Sequence, residues 1–151
     1  MKITLAAVVP RSSRAKGQAV EAMIDDFLTR ASRTIPAATQ LFETEAALLE
    51  SLATAPGRTR ATAMLLDSRG QMMTSEEFAA RLGRLRDEGT QRLVLAIGPA
   101  DGWSAAARAQ ATQMLSLGRI TLPHQLARLV LAEQIYRATA ILSGHPYHAG
   151  H

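Results

Sequence analysis

The chain has 151 residues, a hydrophobic fraction of 47% with only 4% aromatic residues, and no cysteine. That is one domain's length with an aliphatic core, and it excludes a disulfide framework, a thiolate metal site and a cysteine nucleophile. The net charge is +4, and of 17 basic residues only Lys2 and Lys16 are lysines. Arginine forks pair bidentately with phosphate, so a polyanionic partner fits, although a coding bias towards arginine would read the same way.

The predicted elements alternate between strand and helix. Lys2 to Val9 is a short apolar run with β-branched residues and reads as a buried strand. It is too short to span a membrane, lacks a signal-peptide cleavage pattern, and no later apolar stretch is long enough to span either, so a cytoplasmic protein without a membrane partner is expected. A basic loop, Pro10 to Gly17, leads into a helix from Ala19 to Ala31, spaced by Val20, Met23, Ile24, Phe27 and Leu28. Ala37 to Phe42 is a second strand, and Thr44 caps a helix from Glu45 to Leu52 that Pro56-Gly57 breaks.

Ala61 to Leu66 is a third strand ending at Asp67, with a turn over Ser68 to Gln71. Thr74 or Ser75 caps a helix to about Asp87, and Glu76 and Glu77 suit the dipole of its first turn. Arg92 to Ile97 is a fourth strand running into Gly98. Continuous apolar strands between helices imply a largely parallel sheet covered on both faces, an α/β domain. Ser104 then caps a helix to Gln113, Leu115 to Leu122 is short and apolar, and a long helix runs from Pro123 to Ser143. Proline suits its first position. That helix is apolar almost all round, which in so small a domain implies packing against a second subunit.

Three stretches can carry chemistry. The first is the turn Ile97-Gly98-Pro99-Ala100-Asp101-Gly102-Trp103-Ser104, at the carboxyl end of a strand, where open α/β sheets bind ligands. It is neither a P-loop nor the dinucleotide fingerprint. The second is Ser116-Leu117-Gly118-Arg119-Ile120-Thr121-Leu122-Pro123-His124-Gln125, leading to Arg128, Glu133, Tyr136 and Arg137. The third is Gly144-His145-Pro146-Tyr147-His148. Three of four histidines lie in the last seven residues, but without a helical His pair or an acidic neighbour no metal site is expected. Glu133 and Arg137 are four apart, in the order that favours a helical ion pair.

In order and spacing these pieces resemble the RlmH family, small SPOUT-class methyltransferases that modify N3 of a pseudouridine in large-subunit (23S) ribosomal RNA. The likeness extends more loosely over the whole chain. It implies a single SPOUT domain over residues 1–151, with a trefoil knot and cofactor site over about 92–151. It further implies a homodimer, S-adenosyl-L-methionine as cofactor, and a substrate in ribosomal RNA, in an assembled ribosome. Carried over by position, Leu66, Gly98, Leu117, Gly118, Arg119, Ile120, Thr121 and Leu122 would bind the cofactor. His124, Arg128, Arg137, Tyr147 and His148 would face the RNA or its target base. A neutral histidine can take the N3 proton, arginine can stabilise charge on the base oxygens, and Tyr147 can stack on an unpaired base. Three departures stand out. Family members commonly have a second glycine where Pro99 stands, a basic residue where Ala149 follows the last histidine of the motif, and a long basic segment where Phe42-Glu43-Thr44-Glu45 is short and acidic. The alternative reading is a non-catalytic ribosome- or RNA-binding relative whose pocket is altered at Pro99.

Overall fold

A computed structural model describes residues 1–14 and 18–148 of the chain. The strands are β1 (Lys2–Val8), β2 (Ala37–Phe42), β3 (Thr62–Met72), β4 (Arg92–Ile97) and β5 (Gln113–Ser116). The helices are α1 (Gln18–Ala31), α2 (Glu45–Leu52), α3 (Ser75–Asp87), α4 (Ala105–Gln110) and α5 (His124–Ser143). The strands form one sheet in the order β2-β1-β4-β3-β5, and every pairing is parallel.

Both faces of the sheet are covered, which is why the strands read as continuous apolar runs. Side chains alternate across a strand. Ile3 and Leu5, Met64, and Leu93 and Leu95 therefore meet Ile24 and Leu28 of α1, Phe78 and Leu82 of α3, and Leu131 and Ile135 of α5 on one face. On the other, Ala6 and Val8, Ala63 and Leu65, and Val94 and Ala96 meet Leu48 and Leu52 of α2, Ala107 of α4 and Trp103. The second face is built of smaller side chains, and the helices that cover it are the two shortest, α2 and α4. Caps delimit the helices as expected: Thr44 accepts from Ala47 N, and Thr74 and Glu77 form a reciprocal capping box.

Three expectations need correction. The third strand does not end at Asp67, and the turn over Ser68 to Gln71 does not leave the sheet. Leu66 and Gln71 both face Leu115, so residues 67–70 loop out of the ladder and β3 resumes to Met72. Next, the helix capped by Ser104 ends at Gln110, because Thr112 is claimed by the sheet. Its N–H donates to Ala63 O at 2.8 Å and its hydroxyl accepts from Ala63 N at 3.1 Å. Lastly, Pro123 is the cap residue of α5 and not its first helical residue. α5 ends at Gly144, whose φ of 74° suits only glycine without strain. Its apolar circumference is not all covered, with Leu126 45% and Val130 37% exposed. Among the described residues no helix is long and apolar enough to cross a membrane.

Candidate cofactor groove and the histidine beside it

The bulge of β3 and the carboxyl ends of β4 and β5 lie side by side and supply three loops. In the bulge of β3, the Asp67 carboxylate accepts Arg69 N at 2.8 Å and Arg108 Nη2 at 2.5 Å. The backbone N–H of Arg69 and then the Arg108 guanidinium hold its carboxyl below the usual range, against burial, which pushes it up. Gly70 lies against the backbone of Leu115, where a Cβ would come within 2.7 Å of three atoms. In the loop after β4, Trp103 folds back and donates its indole N–H to Leu66 O at 2.8 Å. The same ring lies where a Cβ on Gly98 would sit, at 2.7 Å. Gly98 is thus required by tryptophan packing. In the loop after β5, the Ser116 hydroxyl bonds both Gly118 N (3.1 Å) and Gly118 O (3.0 Å). Gly118 has φ of 129° and open space on its side-chain side.

Between these loops lie two cavities of about 240 and 380 Å³. The smaller is lined by Leu66, Leu117, Gly118, Ile120, Thr121 and Leu122, the larger by Leu66, Gly98, Pro99, Trp103, Leu122 and His124. They share Leu66, Asp67, Ser68, Ile97, Leu122 and Ala127, and so make one groove. Seven of the eight residues expected to bind the cofactor are brought together there; Arg119 is exposed and lines neither cavity. The walls are apolar side chains and backbone, the lining a small-molecule site uses, and the combined space is of the usual size. Pro99 is accommodated: its carbonyl accepts Gly102 N at 2.9 Å, and no non-glycine residue among those described has positive φ.

The residues expected to face the substrate divide. His124, at the start of α5, places Nε2 2.6 Å from Gly98 O. A carbonyl has no proton to give, so Nε2 carries the hydrogen and Nδ1 of the neutral ring is left as the acceptor. Arg128, one turn on, is 2% exposed. It pairs with Glu21 of α1 and donates to Thr39 Oγ1 at 3.0 Å, and its buried Nε–H has no acceptor among the described residues. Arg137 lies 13 residues beyond His124, about 20 Å along the helix. It donates to Glu133 at 2.7 Å, and the Tyr147 hydroxyl donates to the same carboxylate oxygen at 3.1 Å. Burial first, then the Glu133 carboxylate, raises the Tyr147 hydroxyl above the usual tyrosine value, which keeps it a donor. Arg30 lies 4.3 Å from the centre of the Tyr136 ring, which packs on the Tyr147 ring at 4.5 Å. Within one chain, therefore, His124 and the Arg137–Tyr147 cluster are separate. The His148 side chain lies outside the described residues. Sequence reasoning placed Trp103 in the turn over 97–104 without giving it a role, and missed Gly70 and the Asp67–Arg108 pair. For Trp103 a signal existed, as the only tryptophan, five residues after a strand-end glycine; for the Asp67–Arg108 pair there was none.

The family described as predicted SPOUT methyltransferase matches residues 1–148. A ribosomal RNA large subunit methyltransferase H of Koribacter versatilis is 47% identical over 138 residues, 91% of this chain and 94% of that protein. The protein of the same name from Brucella anthropi is 53% identical over 88 residues, 58% of this chain and 55% of its own. Among solved structures, the chain is similar to the SpoU methyltransferase AviRb from Streptomyces viridochromogenes in complex with AdoMet. There the TM-score is 0.48 and the identity 13%, over 89% of this chain and 56% of that one.

Proposed function

The chain belongs to the SPOUT methyltransferases, and among them to the family of ribosomal RNA large subunit methyltransferase H; from this premise we propose that it methylates N3 of a pseudouridine in large-subunit ribosomal RNA, using S-adenosyl-L-methionine. The observation that carries the reading is the convergence of seven residues from three separate loops on one apolar groove, with His124 at its edge. The groove fits the cofactor on this chain's own chemistry. Leu66, Leu117, Ile120 and Leu122 offer apolar contact to a nucleoside, and Gly118 leaves room for close backbone approach.

When bound, S-adenosyl-L-methionine supplies an electrophilic methyl group on a sulfonium. The chain's residues do the rest. The base nitrogen must give up a proton as its bond to the methyl carbon forms and the sulfur–methyl bond breaks. His124, held by Gly98 O, keeps Nδ1 open to receive that proton. The loop ties through Trp103 and Asp67 fix the groove before the ligand arrives, so little ordering is left for the moment of reaction.

We further read the active form as a homodimer in the cytoplasm, acting on an assembled ribosome. Exposed Leu126 and Val130 on α5 support the pairing. It would also bring a second Arg137–Tyr147 cluster to the groove, which the cluster of the same chain does not reach. The knotted path expected for residues about 92–151 belongs to this reading.

Calorimetry and base mapping test it. Millimolar S-adenosyl-L-methionine should give a saturable heat, and labelled methyl should appear at one pseudouridine of large-subunit RNA in particles from a deletion strain. Absence of any heat at that concentration, or label at a different base atom, would overturn it.

A further inference from the structure

A third cavity, of about 550 Å³, lies beyond the carboxyl ends of β1 and β2. It adjoins the cofactor groove, because Pro99, Ala100 and His124 line both. No residue expected to bind the cofactor lines it. Its floor is apolar, with Val8, Val9 and Leu41. Its rim is tied across loops: Arg11 pairs with Glu43 at 2.7 Å, and Glu45 accepts Ser104 N at 2.8 Å and the Ser104 hydroxyl at 2.6 Å. A cavity with a tied rim is pre-formed, and pre-formed cavities bind without a large ordering cost.

The charges on its wall say what it can hold. Four carboxylates (Glu21, Glu43, Glu45 and Asp101) face two guanidiniums (Arg14 and Arg128). A phosphate would be repelled, and a bulky cation would lack an aromatic wall. A flat, neutral ring with an N–H edge suits apolar floor and carboxylate rim together. Three of the four carboxylates are already engaged within the chain, Glu21 by Arg128. Asp101 is exposed and makes no hydrogen bond or ion pair among the described residues. It sits in the tight turn closed by Gly102 N on Pro99 O, next to the wall shared with the cofactor groove.

We infer that this cavity receives the target base, an oxo-pyrimidine turned out of its strand, and that Asp101 accepts an N–H from the base edge. The inference rests on the methyltransferase reading and specifies its substrate side. It also accounts for a choice of base. Pseudouridine carries two ring N–H groups, uridine one. The N3 proton is lost in the reaction, so the extra N1–H is the group that needs a standing acceptor, and Asp101 provides it. A site built to satisfy such a group discriminates strongly against an analogue without it.

The test uses the full chain and large-subunit particles bearing either pseudouridine or uridine at the target. Leu41→Trp fills the floor and should reduce methyl transfer at least a hundredfold while leaving calorimetric affinity for S-adenosyl-L-methionine unchanged. If Leu41→Trp does not fold, Ser13→Trp, at an exposed lining position, makes the same test. Asp101→Ala should lower the ratio of kcat/KM on pseudouridine particles to that on uridine particles, by about ten- to a hundredfold for one charged hydrogen bond. Wild-type transfer in the filled variant would show that the base does not enter here. Loss of cofactor affinity would assign the cavity to the cofactor, and an equal fall on both particles would remove Asp101 as the reader. Failure of the methyltransferase reading itself would show earlier, as no cofactor heat and no transfer in the unsubstituted protein.

Discussion

At the scale of the residue, His124 does two things that substitution can separate. Its Nε2 donates to Gly98 O, which ties α5 to the strand-end turn, and its Nδ1 is left to accept a proton. Glutamine can keep the first role through its amide N–H but cannot act as a base. His124→Gln is therefore expected to hold cofactor affinity within about twofold while methyl transfer at neutral pH falls by about 10²–10⁴-fold. Paired calorimetry and single-turnover transfer would check this. Near-normal transfer in His124→Gln would reduce the histidine to a positioning residue. Pro99 is also a residue-scale matter. It stands where a second glycine is usual in the family, but the turn it occupies needs no positive φ and uses its carbonyl, which proline keeps.

At the scale of the element, the bulge in β3 holds the groove's floor to its wall. Gly70 abuts the Leu115 backbone so closely that an alanine Cβ would overlap N and C atoms at 2.7 Å, and backbone cannot rotate away. Gly70→Ala should cost about 1–3 kcal/mol, as overpacking does, and urea unfolding would show it as a lower midpoint. Cofactor affinity should fall with it, because Leu66 and Leu115 flank the bulge and line the groove. Asp67 braces the same loop. Its folded-state value lies below the unfolded 3.8, so its stabilisation is complete above that pH and is lost as the pH falls through the folded value. The urea midpoint should therefore drop on acidification below about pH 3.8, and Asp67→Asn should show a smaller drop. Identical acid profiles for the two proteins would dismiss the brace.

How much of this was legible follows from the same elements. Strand and helix order was readable because burial on both faces makes β1 and β4 largely apolar runs and because Thr44, Thr74 and Ser104 mark helix starts. The residues that line the candidate groove were readable because most lie in contiguous stretches whose order resembles a family. The partners of Arg128 were not. Glu21 and Thr39 lie 107 and 89 residues away, and only the packing of α1 and β2 against α5 brings them there. The bulge in β3 was misread because Ser68-Arg69-Gly70 has turn chemistry whether or not the strand resumes afterwards.

At the scale of the whole molecule, one surface is left unfinished. Leu126 and Val130 are exposed on α5, Ile120 is 82% exposed on the loop before it, and Met72 is 58% exposed at the end of β3. Val130 and Met72 line one groove of about 320 Å³ with Phe78, Leu117 and Leu131. Scattered exposed apolar residues need no explanation, but a contiguous patch beside a ligand site does. A second copy would cover it, as proposed above, since the same face on both partners makes a closed pair. The proposed pairing would also bridge the 20 Å separation between His124 and the Arg137–Tyr147 cluster, because a second chain can supply what the first cannot reach. Val130→Glu places a charge on that face, where burial without a partner is costly. Light scattering should then fall from twice the chain's 16.2 kDa to the mass of one chain. Methyl transfer should fall with it, while the cofactor groove, formed by one chain's loops, keeps measurable affinity. A variant that keeps the double mass would show that this face is not the interface, and an unsubstituted protein with the mass of one chain would remove the dimer altogether.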